Sequence, residues 1–105
     1  MTRVIVRPTA ESDIASAADW YEEEEPGLGI RFADELRAAF VRIQAMPLQF
    51  PGVWRGVRRA LLRRFPYAIY FVMRGEREAV IIAVMHQRQD SNKLRKRTQD
   101  EGKAG

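Results

Sequence analysis

An apolar run without interruption from Ala79 to Met85, set between Glu78 and His86, constrains this chain more than any other feature. The run is far too short to span a bilayer. It lacks the alternation of a half-buried strand, and its length and β-branched residues suit a strand covered on both faces. Such a strand lies inside a sheet, so the rest of the sequence must supply neighbouring strands and a cover. Arg3 to Arg7 predicts a short strand closed by Pro8, which cannot extend a ladder. Val57 to Leu62 and Tyr67 to Met73 predict two more, with Arg74-Gly75-Glu76-Arg77 as the hairpin connection into the apolar run.

The cover comes from two amphipathic segments. Ile14, Ala17, Ala18 and Tyr21 recur at the spacing of one helical stripe. Thr9 is placed to cap that helix, with Glu11 and Asp13 in its first turn, where the helix dipole favours acids. Glu22 to Glu25 make an acidic, solvated end, and Pro26-Gly27 stops the helix. Leu28, Phe32, Leu36, Ala39, Phe40 and Ile43 mark a second helix ending before Pro47. The short connection predicts an antiparallel helix hairpin, with Trp20 and Tyr21 as packing residues. Leu48 to Gly56 is expected as a loop that tucks Phe50 and Trp54 under the domain. The fold class is therefore α+β, a two-layer β-α-α-β-β-β arrangement. Its helix hairpin packs on a mostly antiparallel four-stranded sheet, followed by a flexible basic C-terminal tail. Residues 1–97 form the single domain and 98–105 a disordered tail.

Charge divides the chain. Residues 1–56 carry 6 basic and 9 acidic side chains, net −3, and residues 57–105 carry 12 basic and 5 acidic, net +7. An anionic partner for the second half follows. The chain has no cysteine, which excludes disulfides and thiolate chemistry. No histidine or carboxylate cluster suggests a metal site, and no cofactor is expected. Arg3 and Arg7 bracket only three apolar residues, so no secretory leader is expected and the default location is cytoplasmic, without a membrane partner.

Chemistry concentrates late in the sequence. Arg58, Arg59, Arg63 and Arg64 surround a predicted strand, and Tyr67, His86 and Arg88 follow. Arginine forks bind phosphate or carboxylate at two points, and imidazole titrates near neutral pH. His86, the only histidine, is either a general acid or base or a strand end bonded to a neighbouring backbone. Some of the arginines are expected to be ordinary salt-bridge partners. No predicted helix carries a basic face.

Residue by residue, the chain resembles the RelE/ParE superfamily of toxins from type II toxin–antitoxin pairs, a group that includes plasmid stabilisation proteins. The resemblance rests on Ala17-Ala18-Asp19-Trp20-Tyr21, Pro26-Gly27-Leu28-Gly29 with Phe32, and Pro47 with Phe50-Pro51. It continues through Arg58-Arg59, Leu62-Arg63-Arg64-Phe65-Pro66-Tyr67, Ile69-Tyr70 and His86-Gln87-Arg88, covering roughly residues 3–97. It implies a cognate antitoxin with an acidic segment, within a toxin–antitoxin hetero-oligomer. Antitoxin or target would be bound through Arg58, Arg59, Arg63, Arg64, Tyr67 and Arg88.

Two activities are known in the superfamily, and the resemblance leaves open whether the chain is an enzyme. RelE-like members cut messenger RNA on the ribosome. In that case His86 would exchange the proton, Arg59, Arg63 and Arg64 would hold the phosphate, and Tyr67 or Tyr70 would stack on a base. ParE-like members poison DNA gyrase. The second helix and the loop after it contain no lysine, and Gln87-Arg88 replaces the aromatic that follows the last strand in some nucleases. Both departures favour the ParE-like branch. An inactive relic that only binds its antitoxin is the remaining alternative.

Overall fold

The computed structural model describes residues 1–89 and 91–104. Strand β1 (Arg3–Val6) leads into helices α1 (Pro8–Glu24) and α2 (Leu28–Ala45). A single 3-10 turn (Pro47–Gln49) precedes strands β2 (Gly52–Trp54), β3 (Val57–Leu61), β4 (Tyr67–Arg74) and β5 (Glu78–His86), and helix α3 (Ser91–Ala104) follows. The sheet order is β1-β5-β4-β3-β2. Only the β1–β5 pair is parallel, so the sheet is mostly antiparallel as the sequence implies. The expected strand count was four. The fifth, β2, comes from the predicted loop, where Gly52 and Trp54 pair with Arg58 and Val57.

The apolar run behaves as its composition requires. Ala79 to Met85 are all buried, between β1 and β4 in the sheet and between two apolar layers across it. On one face Ala79, Ile81 and Val84 join the helix hairpin through Ala17, Tyr21, Phe32, Leu36 and Ile43. On the other, Val80, Ile82, Ala83 and Met85 pack with Val57 and Leu94 of α3. The segment after the last strand thus supplies the second cover through Leu94, which falls within the expected domain of residues 1–97. Basic residues Lys93, Arg95, Lys96 and Arg97 therefore stand on a helix, contrary to the expectation that no helix is basic. Gly105, the last residue of the expected tail, lies outside the described residues.

Local details depart from expectation for simple reasons. Pro8 occupies the first turn of α1 and Arg7 is its N-cap, so Thr9 does not cap the helix. Proline suits that position because its missing N–H would have had no partner. Trp20 is 54% exposed while Tyr21 is buried. Trp20 falls outside the i, i+3, i+4, i+7 positions held by Ile14, Ala17, Ala18 and Tyr21, so only Tyr21 joins the buried stripe. The acidic end of α1 is more than solvated surface. Glu22 accepts hydrogen bonds from the N–H groups of Gly27 (3.0 Å) and Gly29 (3.1 Å) and so neutralises the start of α2.

Candidate functional site

Strand pairing sets Tyr67 opposite His86. Their rings meet edge to face with centroids 5.5 Å apart. Tyr67 also contacts Tyr21 at 5.9 Å and Phe32 at 5.3 Å, which ties this strand end to the helix hairpin. Burial pushes the Tyr67 phenol above its usual 10.0, and the Asp13 carboxylate adds to the rise. His86 accepts a hydrogen bond at Nδ1 from the Arg88 N–H (3.1 Å), while its own N–H donates to Gln89 Oε1 (2.8 Å). The imidazole therefore closes the turn after β5 through one nitrogen. Its other nitrogen carries the proton when the ring is neutral. Arg88 itself is exposed on that turn.

The arginines do not converge on His86. Arg58 is spent as a brace, donating to the carbonyls of Phe50 (2.6 Å) and Leu48 (3.4 Å). Arg59 points to the opposite face of the sheet, where it lines a recess with Trp54, Tyr70 and Leu94. Arg63 and Arg64 are exposed on the turn between β3 and β4. Both of their backbone N–H groups donate to Glu35 of α2, the Arg64 bond at 2.7 Å. Here the Arg64 side chain borders a cleft of about 640 Å³ with Tyr21, Leu28, Arg31, Phe65 and Pro66. The site residues named from sequence thus fall into separate groups: a brace, a recess behind the sheet, a cleft beside the hairpin, and the β4–β5 end.

Sequence reasoning missed the residues that organise these groups. Asp13 leaves its expected role in the first turn and receives the Val84 N–H at 2.9 Å. Arg97 holds the same carboxylate with both terminal nitrogens, one at 2.9 Å, and also donates to the Ile82 carbonyl at 3.2 Å. These partners stand 84 positions apart, and no local signal links them. With Ser12, Ser16, Trp20, Tyr67, Gln89 and Lys93 they line a groove of about 520 Å³ between α1 and α3. Among the described residues, no group of three or more His, Cys, Asp or Glu could hold a metal ion. No helix described is long and apolar enough to cross a membrane.

The helix hairpin and the sheet order agree with the fold that the RelE/ParE resemblance implies. The family model described as "ParE toxin of type II toxin-antitoxin system, parDE" matches residues 4–91, and the chain belongs to that family. Among solved structures, a chain of the "Chromosomal ParDE TA system from P. aeruginosa" superimposes with a TM-score of 0.72 at 21% identity. The match covers 82% of this chain and 96% of that one, which establishes a shared fold. No curated protein matches the chain significantly by sequence.

Proposed function

We propose that this ParE-family toxin arrests growth by poisoning DNA gyrase and is neutralised by a cognate antitoxin. The observation that carries the reading is the scatter of its guanidiniums. A nuclease needs its cations preorganised about the reacting phosphate and within reach of the proton-transfer group. Here Arg59 faces away from His86, and the Nδ1 atom of His86 is engaged by its own turn. Membership of the ParE family over residues 4–91 supports the same branch.

The antitoxin contact follows from the cleft beside the hairpin. Leu28, Phe65 and Pro66 offer an apolar floor, and Arg31 and Arg64 stand beside it with two acids that are already engaged, Asp34 by Arg37 and Glu35 by the Arg63 and Arg64 N–H groups. An acidic segment that folds on binding meets both halves of that surface. Arg63 and Arg88 extend the positive charge around the cleft and the β4–β5 end, and Tyr67 underlies the latter. The product is a toxin–antitoxin hetero-oligomer within the cytoplasm.

Purified toxin added in excess to a gyrase supercoiling assay tests the target. Inhibition is expected, with reversal by the antitoxin. Unimpaired supercoiling sinks the mechanism. Induction in cells, with labelled precursors, separates the branches. Early loss of DNA synthesis that persists in a His86→Ala variant fits gyrase poisoning. Early collapse of translation that disappears with His86 would transfer the protein to the RNA-cleaving branch, and growth unaffected by induction would mark a relic.

A further inference from the structure

Behind the sheet, on the face covered by α3, lies a small recess of about 210 Å³ lined by Val53, Trp54, Arg59, Tyr70, Leu94 and Arg95. No described lining residue is acidic. The Arg55 guanidinium lies 5.3 Å from the centre of the Trp54 ring and that of Arg95 5.6 Å, so one indole holds two cations by cation–π attraction. A third cation, Arg59, has its Nε buried with no hydrogen-bond partner among the described residues. A buried donor left unmatched costs roughly 1–3 kcal/mol, more for a charged group. The Arg59 side chain borders the recess, while its Nε lies beneath the surface.

The turn beside the recess fixes where Arg55 stands. Arg55 and Gly56 connect β2 to β3, with Trp54 paired to Val57, and both have positive φ, 39° and 81°. Glycine adopts that region freely, as does asparagine at some cost, but arginine has no side-chain reason to be there. A two-residue hairpin turn needs positive φ at both central positions, so the turn sets the backbone at Arg55 and arginine is a costly residue to place there.

We infer that this recess binds the phosphodiester backbone of an unpaired nucleic-acid strand. Three guanidiniums exceed what one carboxylate can satisfy, whereas consecutive phosphates match them in number and in two-point geometry. Trp54 and Tyr70 supply apolar faces for a sugar or base beside the phosphate, as single-strand sites do. Exposed Lys96, next to Arg95 on α3, extends the positive surface beyond the recess. This inference goes beyond the gyrase reading and does not depend on which protein the toxin inhibits.

Binding of a fluorescein-labelled single-stranded oligonucleotide, followed by anisotropy without gyrase or antitoxin, tests it. Wild-type protein should bind, and Arg95→Ala and Arg59→Lys should each weaken binding several-fold or more. Each lost phosphate contact should also flatten the log affinity against log salt slope by roughly 0.7. Arg37→Ala, an equal loss of charge on α2, should leave binding within about twofold. Arg55→Gly is the sharpest variant, because it relieves the positive φ: binding should fall while thermal stability holds or rises. The site is overturned if the recess variants bind like wild type or if Arg37→Ala weakens binding equally. It is overturned as well if Arg55→Gly lowers stability without touching affinity. Stronger binding of duplex than of single strand would reject an unpaired strand. Equal competition by polyglutamate would make the recess an acceptor for acidic protein segments instead.

Discussion

Asp13 is a short side chain asked to do three things at once. It receives a β5 backbone N–H, it neutralises Arg97, and it raises the proton affinity of nearby Tyr67. Its side chain is 10% exposed and that of Arg97 14%, so the pair is shielded from solvent on both sides. Attraction in such a place only offsets the cost of desolvating both charges, but removing one partner strands the other. Arg97→Met should therefore lower unfolding free energy by about 3 kcal/mol in urea titration. Adding Asp13→Asn to Arg97→Met should recover part of that loss, since the amide still accepts the Val84 N–H without a buried charge. A double variant no more stable than the single would mean that Asp13 is not stranded. Sequence inspection could not find this pair. Asp13 looks like an ordinary first-turn acid and Arg97 like one cation in a basic tail, and only the three-dimensional meeting of α1, α3 and β5 assigns them. For His86 the sequence left two readings, a proton-transfer group or a strand end bonded to a neighbouring backbone, and its bonds in the structure run within its own turn.

Among the elements, the helix hairpin carries the tightest approach. A Cβ added at Gly29 would lie 2.7 Å from the Ala18 carbonyl and 3.1 Å from Glu22. Gly29→Ala gains about 1 kcal/mol of helix propensity, yet the clash is with backbone, which cannot swing aside. Overpacking of this kind costs about 1–3 kcal/mol and wins, so the variant should melt below wild type in calorimetry. An unchanged or raised midpoint would show that α1 and α2 can separate without penalty. The hairpin was readable from its long helical stripes and β5 from its unbroken apolar run, with β3 and β4 set off by the turn residues between them. The short strand β2 was not, since Gly52, Val53 and Trp54 sit between Pro51 and a left-handed Arg55-Gly56 turn and carry no alternation of their own. Helix α3 was hidden for a different reason: its polarity suits a solvated tail, and Leu94 is its main apolar foothold.

At the scale of the molecule, the two layers over the sheet give different chemistry to its two faces. Aromatic rings Tyr21, Phe32, Phe65 and Tyr67 interlock on the hairpin face with centroids 4.8–5.9 Å apart. Burial raises the phenol pKa of both tyrosines above 10.0, with Tyr21 further raised by Tyr67 and Tyr67 by Asp13. Burial disfavours phenolate, so the folded pKa exceeds the unfolded one. The contribution to stability is then fully present below pH 10.0 and is lost as pH rises through the raised values. Urea midpoints should hold level from about pH 8 to just below 10 and then fall, and Tyr67→Phe should blunt the fall. A decline of equal steepness in the Phe variant would place the titrating group elsewhere. The opposite face carries the cations of α3, Arg55 and Arg59, so the sheet separates an uncharged aromatic interior from a phosphate-ready exterior.

The meeting of Asp13, Gln89 and Arg97 beyond the end of β1 also bears on how this protein can be handled. Strand β1 stops opposite Ile81, so the outer edge of β5 from Ile82 to His86 has no strand beside it. Unsealed strand edges recruit other chains and aggregate. Here side chains from α1, α3 and the turn occupy the edge, and α3 also roofs Val80, Ile82 and Met85. A chain shortened before Ser91 would uncover the edge and the apolar face together. Its expected fate is insoluble aggregate, and harmlessness of such a fragment in cells would report lost solubility rather than a toxic centre in the helix.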